Sequence, residues 1–249
     1  MSAVETRTPR RRSAVEGRHV ELGARLVERD GWWQPEVYAS PEAEIEAVLR
    51  GAGLFDLSPL GKLDVRALDP SAAWRMIAPG EETPAGPRIC RLTLSGQDVL
   101  AAGLNPERIF LTGAPGSGAA VERAIREAAS GACVSVNDVT SGFTAIELAG
   151  PKGASILRKL CPVPPPAEDR LAVQARVGGV HAIVLRVDGA PQASAHGAPA
   201  EGLPAFRLHV SRDLGLYLWE ALEDAGKEFG LIPYGRAARS RLFPNVFPG

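Results

Sequence analysis

The chain has 249 residues, a net charge of −1 and a pI of about 6.5. Hydrophobic residues make up 45% and charged residues 23%, so the composition predicts a folded chain with a sizeable core and excludes a disordered one. The near-neutral charge argues against a nucleic-acid binder, because such proteins need a cationic surface to displace counterions.

Membrane and secretory signals are not found in the sequence. No apolar run reaches the roughly 18 residues that a membrane span needs, and no apolar segment follows the N-terminal arginines as in a signal peptide. The cysteines, Cys90, Cys133 and Cys161, are far apart and odd in number. They predict neither a disulfide framework nor a metal site, so we expect a cytoplasmic protein without a metal.

The first 15 residues are predicted to be a disordered basic arm, because RTPRRRS at 7–13 is cationic and has no apolar periodicity. An extended segment follows around Trp32 and ends near Tyr38. The clearest helix begins at Ser40, which is a typical N-cap residue, with Pro41 at the first helical position and acids in the first turn.

Further along, strands and helices mix without a regular alternation. The patterns predict strands at 60–68, 89–94, 108–112, 180–187 and 206–212, and two more strands within 132–151. They predict helices at 69–79, 116–131, 152–160 and 214–225. This order predicts an α+β fold and not a doubly wound parallel sheet. Residues 16–249 are predicted to form one unit with two coupled lobes, roughly 16–160 and 170–249, on either side of the proline-rich CPVPPPAEDR.

Motif searches alone leave the chemistry open. The glycine-rich turn at 113–118 lacks the residues of a phosphate-binding loop, and the histidines show no metal-ligand spacing. His196 lies in a loop of small residues and could act as a base, although nothing nearby in sequence supports a triad. Asp56 and Asp138 follow apolar runs, where a turn-capping role is the favoured interpretation.

Three stretches together resemble the glycine-cleavage T-protein (aminomethyltransferase) superfamily. The first is HVELGARLVERDGWWQPEVY with GLFDLSPLGK, the second is DVTSGFTAIELAGP, and the third is FRLHVSRDLGLYLWEALEDAG with GLIPYGRAAR. They occur in the family's order and cover residues 19–242 discontinuously. The resemblance implies α+β lobes around a central pocket that holds tetrahydrofolate, and it includes the sarcosine oxidase gamma subunit among the relatives.

The sequence departs from the family pattern at its acids. Ala101 and Ala102 stand where the family has a pair of acids. In the family's pterin-reading motif, Gly202 and Leu203 stand in the place of the glutamate, and Arg207 stands where the second acid would be. The family's C-terminal barrel is also expected to be missing. We therefore assign the roles of the missing acids to other residues. Asp98 and His196 are the predicted catalytic residues, and the predicted cofactor-binding residues are Tyr38, Asp56, Arg186, Glu201 and Arg239.

Three functions remain open on this resemblance. The first, and the favoured one, is tetrahydrofolate-dependent aminomethyl or methyl transfer, or a divergent reaction, on a small one-carbon donor or amine. The second is a non-catalytic subunit with a protein partner, like the sarcosine oxidase gamma subunit. The third is a repurposed pocket acting on an unrelated small molecule. An open pocket lined by acids and by Arg239 or Arg186 favours the first. A pocket filled by apolar side chains, with a large exposed apolar patch elsewhere, favours the second.

Overall fold

The computed structural model describes residues 11–79, 87–189 and 202–244, which form seven α-helices and thirteen strands. The helices are α1 (Glu16–Glu21), α2 (Pro41–Arg50), α3 (Pro70–Ile77), α4 (Gly118–Ala128), α5 (Gly153–Leu160), α6 (Gly215–Gly226) and α7 (Arg236–Leu242). The strands are β1 (Arg25–Arg29), β2 (Trp32–Val37), β3 (Ala52–Asp56), β4 (Leu60–Ala67), β5 (Ile89–Leu94), β6 (Gln97–Asn105), β7 (Arg108–Pro115), β8 (Val134–Asp138), β9 (Phe143–Ala149), β10 (Leu171–Val177), β11 (Val180–Arg186), β12 (Ala205–Ser211) and β13 (Leu231–Pro233).

Two large sheets form the fold. One has five strands in the order β5-β6-β7-β4-β8, and the other has six in the order β10-β11-β12-β9-β3-β13. Their described neighbours pair antiparallel, except for β13, which runs parallel to β3. Strands β1 and β2 form a separate hairpin. The predicted α+β class is confirmed.

The two sheets pack face to face. Because alternate strand residues point to opposite sides, one face of each sheet contributes to a shared inner layer, with Leu100 and Phe110 from one sheet and Phe55 and Leu185 from the other. The outer face of the six-stranded sheet packs on α5 and α6, and that of the five-stranded sheet packs on α3 and α4. The layers therefore run helix, sheet, sheet, helix.

The five-stranded sheet is a contiguous insertion in the chain. The backbone leaves the six-stranded sheet after β3, builds β4 to β8, and returns at β9. The predicted lobes, 16–160 and 170–249, do not coincide with the two sheets, because β3 and β9 pair with strands from the later part of the chain. Of the predicted basic arm, residues 1–10 lie outside the described residues, whereas Val15 is fully buried against the fold.

Local predictions succeed where capping signals are strong. Helix α2 begins as expected, with the Ser40 hydroxyl accepting a hydrogen bond from the Ala43 amide at 3.3 Å. Strand β6 was not among the predicted strands, because its central Ala-Ala-Gly has low strand propensity. It forms because it is hydrogen-bonded on both sides, to β5 and β7.

No helix within the described residues is long and apolar enough to cross a membrane.

Candidate functional site

A charged cluster lies in the inner layer between the sheets. Glu147 on β9 stands directly opposite Arg207 on β12, so both side chains point to the same face of the six-stranded sheet. Arg239 reaches them from α7, and Tyr234 from the turn after β13. We call these four residues the inter-sheet charge cluster. All four are at most 2% exposed.

The carboxylate of Glu147 is the centre of this cluster. Arg239 donates through Nε to Oε1 at 2.8 Å and through Nη2 to Oε2 at 3.2 Å. Tyr234 donates its hydroxyl to Oε1 at 2.8 Å, and Arg207 Nε lies 3.4 Å from Oε2. The Arg239 guanidinium also lies over the rings of Phe55 and Phe243, with centroids at 5.2 and 5.6 Å.

The charges in the cluster stabilise one another. Burial acts to raise the pKa of Glu147, but the two arginines and the Tyr234 hydrogen bond outweigh it and hold that pKa below the usual value. Burial acts to lower the pKa of Arg239, and its close contact with Glu147 raises it instead. Burial lowers the pKa of Arg207, which lies farther from the shared carboxylate and next to a second cation. The cluster is thus an internal ion-pair network in which one carboxylate is shared by two cations.

Gly53 on β3 allows Tyr234 to approach the sheet. A Cβ at this position would lie 2.6 Å from the Tyr234 ring and 2.5 Å from Val48. We expect Gly53→Ala to lower the free energy of unfolding by about 1–3 kcal/mol, because it overpacks a filled core, as measured by urea titration. Gly17→Ala in α1 is the control, since its Cβ would meet nothing within 4 Å. Equal stabilities of the two variants would contradict this reading of Gly53.

A second buried cluster joins two of the predicted site residues. His19 on α1 contacts Asp56 Oδ2 through Nε2 at 3.2 Å and the Tyr38 hydroxyl through Nδ1 at 2.8 Å. Burial acts to raise the pKa of Asp56, but the contacts with His19, Ser13 and Ser58 lower it. Burial raises the pKa of Tyr38, and the charge of Asp56 raises it further. Asp56 is therefore an anion at the end of β3, fixed by internal partners.

Lys62 is a fully buried lysine next to this cluster. Its Nζ donates to the carbonyl oxygens of Ser58 at 2.8 Å, Leu60 at 2.9 Å and Thr140 at 3.3 Å. Burial lowers the pKa of Lys62 to about 7, although Asp56 and Asp138 act in the opposite direction. The ammonium therefore connects the segment that enters the five-stranded sheet with the segment that leaves it.

The predicted site residues that the structure describes do not form one site. Tyr38 and Asp56 come together through His19, and Asp56 and Arg239 line one cavity. Asp98 is exposed on the β5–β6 hairpin, where it accepts a hydrogen bond from Thr93, and Arg186 pairs with Asp188 at 2.9 Å. His196 and Glu201 lie outside the described residues. The roles assigned to these seven residues stay predictions.

The cavity between Asp56 and Arg239 is very small. Its other walls are formed by Gln34, Leu57, Leu60 and neighbouring residues, and it encloses about 10 Å³. That volume holds about one water molecule.

Glu147, Arg207 and His19 are the principal residues that the sequence reasoning did not assign to the site. One signal for Glu147 was available: it is a single acid within the apolar run TAIELAG. A charged residue inside a buried strand needs a partner. The partners come from β12 and α7, about 60 and 90 positions later in the chain, so local patterns could not identify them.

A family model described as the GCVT N-terminal domain matches residues 15–243. The chain belongs to the GCVT N-terminal domain family. Aminomethyltransferases from Moorella thermoacetica and Frankia alni are similar to it, at 26% and 31% identity, each over 93% of this chain. The chain spans 63% and 62% of the lengths of these two relatives.

Solved structures show the same fold for this GCVT N-terminal domain. The glycine cleavage system aminomethyltransferase T from Bartonella henselae superposes with a TM-score of 0.76 at 18% identity, covering 96% of this chain and 65% of that one. A chain of the heterotetrameric sarcosine oxidase from Corynebacterium sp. U-96 superposes with a TM-score of 0.57 at 19% identity, covering 77% of this chain and 96% of that one. The predicted T-protein-like fold is confirmed.

Proposed function

We propose that this chain is a non-catalytic member of its family, acting without folate as a subunit that binds a protein partner. The observation that carries the proposal is the inter-sheet charge cluster, in which Arg239, the arginine that matches the family pattern, is already paired with Glu147 at 2.8 Å. Arg239 and Glu147 hydrogen-bond each other inside the protein, and Arg207 forms an ion pair with the same carboxylate at 3.4 Å, as in a structural ion-pair network.

The residues as described do not fit tetrahydrofolate. The cavity beside Arg239 encloses about 10 Å³, whereas small-molecule pockets usually exceed roughly 300 Å³. Freeing Arg239 or Glu147 for a ligand would break a buried pair, which costs about 3–5 kcal/mol. Ala101 and Ala102, fully buried at the positions of the family's acids, provide no carboxylate for an amine.

The partner in this proposal rests on a fold that is shared with a subunit. One chain of the heterotetrameric sarcosine oxidase has this fold over 96% of its own length, which corresponds to 77% of this chain. The occurrence of the fold as one subunit of a larger assembly supports a subunit role for this chain.

Tetrahydrofolate-dependent one-carbon transfer is the second candidate. The similar curated relatives are aminomethyltransferases, and Arg239 and Asp56 do line a common cavity. Under this candidate, a one-carbon donor or amine would be the substrate.

Isothermal titration with tetrahydrofolate and with 5-formyltetrahydrofolate distinguishes the two candidates. We expect no saturable heat and no rise in Tm with either folate up to about 1 mM, because a ligand with a lower Kd would stabilise the native state measurably. Saturable micromolar binding that is lost in Arg239→Lys would overturn the first proposal and favour the second.

A separate experiment tests the subunit role. The tagged protein, purified from its native host, should elute from gel filtration together with a stoichiometric protein partner. The reconstituted complex should have a higher Tm than the chain alone. A chain that stays alone in its host and also binds no folate would contradict both candidates.

A further inference from the structure

A second cavity opens at the other end of the inner layer, near the end of β12. It encloses about 240 Å³ and is lined by residues of both sheets: Arg108, Phe143, Gln174, His181, Ala182, Ile183, His209 and Ser211. His209 is fully buried, whereas Gln174, His181 and Ser211 are exposed. The exposed residues therefore form the mouth of the cavity, and His209 lies at its closed end.

His209 has an unusual environment for a buried polar side chain. Neither ring nitrogen has a hydrogen-bond partner among the described residues. Its ring packs edge-on against Phe110, with the centroids 5.0 Å apart. A buried donor or acceptor without a hydrogen bond destabilises the folded state by about 1–3 kcal/mol. Because His209 faces the cavity, a molecule bound in the cavity could supply the missing hydrogen bond.

Cationic side chains lie around this cavity. Burial holds the pKa of His209 well below its usual value, and the charges of Lys62 and Arg207 in the inner layer act in the same direction. Arg108 contributes a third cation directly to the wall. Arg108 is oriented by Asp64, to which it donates through Nε at 2.6 Å, and Arg66 contacts the same carboxylate at 3.2 Å. Two arginines share the single carboxylate of Asp64, so this side of the cavity has a net positive charge that favours an anion.

We propose that this cavity binds a small organic carboxylate, whose carboxylate accepts hydrogen bonds from His209 and Arg108 and whose apolar body packs on Phe143 and Ile183. A carboxylate matches a neutral imidazole N–H and a guanidinium better than a neutral group does, since charge-assisted hydrogen bonds are about twice as strong. The volume, below the roughly 300 Å³ of common ligand pockets, restricts the ligand to a small molecule. The site is separate from the inter-sheet charge cluster and does not depend on the proposed subunit role.

The histidine ring resonances provide a direct test. The chain has four histidines, so ¹⁵N-histidine labelling gives a simple spectrum in which His209 is identified by its loss in His209→Leu. We expect benzoate to shift the His209 and His181 resonances saturably with a Kd of about 1 mM or lower. Benzamide, which has the same shape without the charge, should cause no saturable shift.

Two arginine variants make the test specific. Arg108→Gln should weaken benzoate binding at least about tenfold, the effect of losing one charge-assisted hydrogen bond. Arg66→Gln is the matched control, because Arg66 contacts the same Asp64 but does not line the cavity. Since Arg108→Gln retains His209, the test does not depend on the folding of His209→Leu.

Three results would overturn the proposal: equal shifts with benzoate and benzamide, equal weakening in the two arginine variants, or no saturation with benzoate. Equal binding of inorganic phosphate and benzoate would also contradict it, because the apolar walls would then contribute nothing. None of these results bears on folate binding, which the folate titration measures separately.

Discussion

Glu147→Gln is expected to lower the free energy of unfolding by about 3–5 kcal/mol, because it leaves two buried guanidinium groups without their shared carboxylate. Arg207 and Arg239 would then face each other inside the protein, each desolvated and positively charged. The isosteric amide still fills the space of the carboxylate, so the loss of stability measures the effect of the missing charge and not of a cavity. Urea denaturation of the wild type and the variant measures it.

The control for this variant is a surface ion pair of the same type. Glu122 on α4 pairs with Arg126 at 2.8 Å, and their side chains are 29% and 55% exposed. Glu122→Gln should change the stability by at most about 1 kcal/mol. If Glu147→Gln costs no more than Glu122→Gln, the cluster is not the internal network described here, and Arg239 becomes available for a ligand.

Lys62→Met is expected to change how stability depends on pH. The folded-state pKa of Lys62 is about 7, whereas the lysine value without burial is 10.5. Between these values the unfolded chain binds more protons than the folded one, so the free energy of unfolding rises with pH. The Lys62 contribution is fully present above pH 10.5 and is lost as the pH falls towards 7.

This contribution has a measurable slope. A fully developed difference in protonation changes stability by up to about 1.4 kcal/mol per pH unit. Urea titrations at several pH values from about 7 to 9 should show a rising stability in the wild type and a flatter profile in Lys62→Met. Lys159→Met serves as the control, because Lys159 is partly exposed and pairs with Glu228; its profile should keep the wild-type slope. The same slope in wild type and Lys62→Met would contradict the expected effect.

Much of the fold could be predicted from local patterns. The N-cap at Ser40 and the alternation from Leu60 onward correspond to α2 and β4, because capping and face alternation are properties of neighbouring residues. Strand β6 required knowledge of its neighbours, since its Ala-Ala-Gly centre is held by pairing on both sides. The family resemblance supplied the architecture that local patterns alone do not determine.

The candidate site was less predictable. Asp56 was recognised as an acid at a strand end, but its partner, His19, lies 37 residues earlier in the chain. The replacement of an expected acid by Arg207 was visible in the sequence, yet its pairing with Glu147 depends on the register of β9 and β12. Such contacts are set by the tertiary fold, so a single sequence without its fold cannot identify them.

The contacts of Lys62 have a consequence for how this chain can diverge. One nitrogen atom binds the carbonyls of Ser58 and Thr140, so the two ends of the inserted five-stranded sheet meet at a single point. A segment whose ends are adjacent can be remodelled or exchanged as a module without displacing the sheet that receives it. Substitutions within the module, for example at Ala101 or Ala102 on β6, can therefore accumulate while the architecture of the six-stranded sheet is retained.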